Sequence, residues 1–172
     1  MAFWRRTEEG PADAAARRMR RAPGDRVMAA AVDVTTGSIV VGTVQELVVL
    51  APDGTEVRRR RWLDVDAGSW ESTTGSVSVT WVDGSRGTQW MFGPEERKFP
   101  EVFRDRVEAS RVIDTPVVDE GRTIGRAAIR KDLRTGELVP QLLYERRIRR
   151  DDAMAHLVGE RALADLEEQA GL

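Results

Sequence analysis

Residues 56–72, EVRRRRWLDVDAGSWES, bring together four consecutive arginines and then Asp64, Asp66, Ser69 and Glu71. Guanidinium groups take phosphates and carboxylates through paired N–H donors. Arg58, Arg59, Arg60 and Arg61 are therefore candidate contacts for an anion or an acidic partner. On a strand, however, Arg58 and Arg60 face one way and Arg59 and Arg61 the other, which leaves at most two charges per face. Such arginines also lay their stems along apolar surface, and their charge keeps a strand edge from pairing with another chain. This structural role is the favoured one of the two. Duplex binding calls for more, since each phosphate contact contributes modestly and is lost with salt. The acidic groups have the look of a calcium loop, but Gly68 falls one position too early for an EF-hand and the distal glutamate is missing.

Other candidate chemistry is sparse. The single histidine, His156, lies in a helical pattern without a cysteine or a second histidine to work with. Cysteine is absent, which removes disulfides, thiolate metal sites and thiolate nucleophiles. No G-x-S-x-G elbow, G-x-x-x-x-G-K-[ST] phosphate loop or G-x-G-x-x-G fingerprint occurs. No catalytic residue, cofactor or metal is expected, so an enzyme is the least favoured class. Four of the five tryptophans, Trp62, Trp70, Trp81 and Trp90, fall close together in β-type sequence. They suggest either a base-stacking platform or a core. Trp81 alternates in step with Val77 and Val79, which favours the core.

The composition is that of a globular chain, 41% hydrophobic and 33% charged over 172 residues. A net charge of −2 argues against nucleic acid as a partner. Only Lys98 and Lys131 among the 27 basic residues are lysines, a bias that agrees with a GC-rich genome. No run reaches the roughly 18 apolar residues of a spanning helix. The opening MAFWRRTEEG lacks the apolar stretch of a signal peptide, so a cytoplasmic location is expected. One basic region stands out at this end. Phe3, Trp4, Arg5, Arg6, Arg17, Arg18, Arg20 and Arg21 form a candidate contact with an anionic membrane, which would make the protein peripheral.

The positioning elements follow from periodicity. PADAAARRMRRA (11–22) is a short helix whose thin apolar face predicts light packing or fraying. Short β-branched runs with period two follow, punctuated by TTG, PDGT and Asp83-Gly84. In the clearest hairpin Val77, Val79 and Trp81 share one face and Ser78 and Thr80 the other. KFPEVFRDRVEAS turns helical, with Val102, Phe103 and Val107 as its apolar stripe. Three more strands lead to a closing helix capped by Asp151 or Asp152. Ala155, Val158, Ala162 and Leu166 line its buried side, with Met154, Leu157 and Leu163 beside them. The predicted order is one helix, six strands, a helix, three strands and a helix. Hairpin spacing throughout makes this an α+β, predominantly antiparallel fold. DVTTGSIV and DLRTGELV match at Asp, Thr, Gly and the final Val, and are best explained as one recurring turn type.

A basic strand running into RWLDVDAGSWES, then VSVTWVDG, a further strand and FPEVFRDRVEAS resembles bacterial pleckstrin-homology-like (PH-like) domains. In that family an aromatic residue ends one strand and an aliphatic three residues later turns the chain, here Trp62 and Val65. The whole pattern, with TGELVPQ and LEEQAGL, also resembles a group of uncharacterised actinobacterial proteins. The resemblance covers about residues 25–110 and implies a bent sheet or barrel closed by a helix, either the one near 100–110 or the C-terminal one. It divides the chain into a basic helical segment (1–24), the PH-like part (25–110), and three strands with a C-terminal helix (111–172) that either complete the same domain or form another. It implies a non-catalytic binding or scaffold module with a protein partner; attachment to anionic lipid is the alternative. Lipid-binding members use a basic first loop, whereas DVTTGS has no Arg or Lys, so phosphoinositide binding does not carry over.

Overall fold

The computed structural model describes residues 10–149 and 151–172. Its first helix, α1 (Pro11–Arg18), is followed by β1 (Val27–Val32), β2 (Ile39–Thr43), β3 (Glu46–Leu50) and β4 (Glu56–Arg61). A single 3-10 turn, Trp62–Asp64, leads into β5 (Val65–Glu71), β6 (Ser76–Trp81) and β7 (Thr88–Met91). Then come α2 (Lys98–Ala109), β8 (Arg111–Asp119), β9 (Arg122–Lys131), β10 (Leu138–Tyr144) and α3 (Ala153–Ala170). The strands form three antiparallel sheets, ordered β1-β2-β3-β4, β5-β6-β7 and β10-β9-β8, and no closed barrel. Seven strands, not six, precede α2. The additional one arises because the 3-10 turn breaks the arginine-rich stretch into two strands of different sheets.

That break is anchored by burial. Trp62 and Val65 are both fully buried, and the Trp62 indole N–H donates to the Thr43 carbonyl at 3.1 Å. The first two sheets face a common core of Ala31, Val40, Leu47, Val77, Val79, Trp81 and Trp90. Amphipathic α2 closes it with Phe99, Phe103 and Val107. Phe103 stands edge-on to Trp62 with ring centroids 5.9 Å apart. Burying side chains of this size stabilises by about 1.5–3 kcal/mol each.

Short α1 is packed more closely than its thin apolar face predicts. Ala12, Ala16 and Met19 are buried against Ile39, Val41, Val48 and Leu50 on the outer face of the first sheet. A small-residue stripe suffices because the sheet supplies the bulk. Every residue of β2 is thus buried, which explains why IVVGT and ELVVL read as continuous apolar runs rather than alternating ones.

The third sheet packs on α3 through Val117, Ile124, Ala127, Ile129, Ala155 and Leu166. Asp152 caps α3 by accepting from the Ala155 N–H at 3.0 Å. Met154 and Leu157, expected beside the buried side, are 61% and 60% exposed. Gly159 takes a buried place instead, where a Cβ would lie 2.4 Å from the Tyr144 hydroxyl. The two matching octapeptides form one turn type. In each, the Asp N–H donates five residues on, the Gly N–H returns to the Asp carbonyl, and the Asp Oδ1 accepts from the N–H two residues later. Gly37 and Gly136 supply the positive φ that this turn needs, +72° and +80°.

Candidate functional site

Each of the four arginines is engaged within the fold. Arg59 donates to Glu56 through Nε (2.9 Å) and Nη2 (2.6 Å), to Glu46, and to the Arg20 carbonyl at 2.9 Å. Glu56, and after it Glu46, push its pKa up against partial burial. Arg61 bridges Asp64 at 3.2 Å and buried Asp132 at 3.4 Å. On the opposite face, the Arg58 and Arg60 guanidinium carbons lie 5.8 and 5.2 Å from the Trp81 ring centroid, in cation–π range. Arg60 also pairs with Asp83 at 2.9 Å, and Arg58 donates to Thr88 at 3.3 Å. Arg58 alone among the four is exposed and bonded to a neutral group.

Of the candidate membrane contacts, Phe3, Trp4, Arg5 and Arg6 lie outside the described residues. Arg17 and Arg18 end α1, Arg20 and Arg21 follow it, and all four are exposed. No described helix is long and apolar enough to cross a membrane. Asp64, Asp66, Ser69 and Glu71 do not converge. The first two pair with Arg61 and Arg126, Ser69 is exposed, and Glu71 accepts from the Thr73 N–H. Among the described residues no cluster of three or more acidic or imidazole groups stands where it would hold a metal. Trp62, Trp81 and Trp90 are core residues, and His156 packs edge-on to Tyr144.

The feature with the shape of a binding site is a groove of about 360 Å³ between β5 and α2. Gly68, Trp70, Val77, Phe103 and Val107 give its apolar lining. Its rim alternates in charge, with Arg97 just before α2, Glu101, Arg104 and Glu108 on α2, and Arg111 at the start of β8. Gly68 makes the close approach possible: a Cβ there would lie 2.3 Å from the Phe103 ring. The charge stripe is visible in the sequence, but the identity of β5 as a sheet edge is not.

β5 differs from the other edge strands. β4 carries the arginines, and β8 and β10 contain Pro116 and Pro140. β1 lies against α1 and α2. The turn after β1 is tied to β7, where the Val34 N–H donates to the Met91 carbonyl at 2.7 Å and the Met91 N–H to Asp33 at 3.0 Å. β5 pairs with β6 alone, and beyond Asp66 its outer edge has no backbone partner among the described residues. Ala67, Gly68 and Ser69 are exposed there.

The start of β5 is held by the third sheet. Buried Arg130 donates to the carbonyls of Val65 (3.0 Å), Trp62 (3.2 Å) and Ser110 (3.2 Å), and to the Ser110 hydroxyl. Arg126 pairs with Asp66, and the Gln141 amide donates to the Leu63 carbonyl at 2.9 Å. No protein-family model and no curated protein matches the chain.

Proposed function

We propose that this protein is a non-catalytic binding module that docks an extended segment of another protein beside β5, in the groove against α2. The observation that carries this reading is the open edge of β5. An extended peptide completes such an edge through main-chain hydrogen bonds, while pockets beside it select side chains. The apolar lining suits alternate side chains of that segment, and the Arg97-to-Arg111 stripe suits a segment bearing charge. The succession of four strands, three strands and a helix over residues 27–109 supports a PH-like plan, in which binding rather than chemistry is the rule.

Panning a random dodecapeptide library on the full chain tests it. Binders are expected to slow amide exchange within Ala67–Glu71 and to weaken when Trp70 becomes Ala. Failure to recover any binder, or binders that protect only β4 or the third sheet, would overturn the reading.

Attachment to anionic lipid is the second reading, favoured by the exposed Arg17, Arg18, Arg20 and Arg21. The apolar side of α1 is already spent on the first sheet. Lipid contact by these residues would therefore be electrostatic, about 1 kcal/mol per arginine near the surface and fading with salt. Co-sedimentation with phosphatidylserine vesicles at low and physiological salt decides it: protein left in the supernatant at both removes this reading.

A further inference from the structure

We infer that the groove ends in a carboxylate-recognition site, formed by Arg111 and Arg126 over buried Arg130, which orients the docked segment antiparallel to β5 with its acidic end beside Val65 and Asp66. The inference rests on the strand-docking reading for its direction, but the carboxylate site itself stands on separate observations.

Arg111 lines the groove and also a small adjoining cavity of about 10 Å³, which it shares with Asp114, Arg126 and Arg130. That volume holds no more than about one water, so a ligand carboxylate would rest at its mouth against Arg111. Arg111 is exposed, and its guanidinium has no hydrogen-bond or ion-pair partner among the described residues. Beneath it, Arg130 is 3% exposed and bonds only to neutral oxygens. A buried charge without a counter-ion is costly. Burial, then the charges of Arg111 and Arg126, bring the Arg130 pKa down to about 10.

The acids nearby do not neutralise the cluster. Asp66 is taken by Arg126, and Asp114 lines the cavity without an ion pair. Glu108 sits on the groove rim without an ion pair to Arg111. Arg111, Arg126 and Arg130 line the cavity with one carboxylate, Asp114, while Asp66 outside it pairs with Arg126, and Arg111 carries its positive charge to the side open to the groove. Its position sets the polarity. Arg130 and Arg126 bind Val65 and Asp66, so the cluster stands at the start of β5. A segment running antiparallel to β5 brings its C-terminal end there. A parallel one would bring its N-terminal end, where a free ammonium would be repelled.

Titrating the full chain with an acetylated, aspartate-terminated alanine pentapeptide, and with its amidated asparagine counterpart, tests this by NMR of the arginine Nε–Hε groups. The acidic peptide is expected to shift Arg111 and Arg126 and to bind at least roughly tenfold more tightly than the neutral one. Arg111→Gln should abolish that preference, and Arg111→Lys should restore part of it. Equal binding of the two peptides, or unchanged binding by Arg111→Gln, would overturn the carboxylate site. Shifts at Arg111 without any change in the β5 amides would uphold that site while refuting strand docking. Protection of β5 with no charge preference would do the reverse.

Discussion

Trp81 shows what the arginine run does at the scale of single residues. Its buried indole donates to Thr88 at 3.1 Å while Arg58 and Arg60 reach over its ring from β4. The two sheets are thus joined across a cation–π contact, and Asp83 in the following turn fixes Arg60. Hydrogen bonds from Ser85, followed by Arg60, hold the Asp83 carboxyl down to about 2. Its folded pKa lies below its unfolded one, so its contribution to stability is fully present above the ordinary value of 3.8 and is lost as the pH falls through about 2. Asp83→Asn should therefore differ from the wild type by a constant amount above about pH 4, and the gap should close between pH 4 and pH 2. Urea titrations at stepped pH read this directly. A gap that widens on acidification would contradict the assignment.

Among the elements, β5 and α2 depend on each other through one missing side chain. Gly68→Ala would push a methyl group into Phe103, and overpacking of this kind costs about 1–3 kcal/mol. The variant should unfold at lower urea and show altered groove amides; an unchanged midpoint would mean that the contact relaxes freely. The alternation of Val77, Val79 and Trp81, the Asp83-Gly84 turn, the Val102–Phe103–Val107 helix and a cap at Asp151 or Asp152 are all legible in the sequence, because each rests on local periodicity or local hydrogen bonding. Other features are not local. The strand end at Trp62 is implied by the PH-like resemblance rather than by periodicity, and in the structure Thr43 and Phe103 meet that residue from far along the chain. Ala12 and Ala16 hold α1 down because a distant sheet is apolar on its outer face. The groove needs the edge position of β5, and the order of strands in a sheet leaves no trace in the strand itself. The arginine run was legible in its two faces, but its partners Glu46, Asp83 and Asp132 lie well away from it along the chain.

Over the whole molecule, the third sheet is joined to the first two largely by polar bonds, with Leu133 packed against their apolar core. Arg130 binds the Val65, Trp62 and Ser110 carbonyls, the Gln141 amide binds the Leu63 carbonyl, Arg126 and Asp132 pair with Asp66 and Arg61, and the Lys131 N–H donates to the Ser110 carbonyl at 2.7 Å. Arg130→Met would leave buried carbonyls without a donor, with a loss of about 3 kcal/mol. Urea unfolding followed by circular dichroism should also broaden or split, as residues 111–172 lose their link to the rest. A single, sharp transition at the wild-type midpoint would show that the joint is held by something else.

The division of the chain into these parts has an optical counterpart. Trp62, Trp70, Trp81 and Trp90 all belong to the first two sheets or the turn between them, whereas the only tyrosine, Tyr144, stands on β10. Light absorbed by the phenol can pass to any of these four indoles only while the two parts stay together. The protein therefore carries its own donor and acceptor, and the ratio of tyrosine to tryptophan emission is an unlabelled gauge of whether the third sheet is docked.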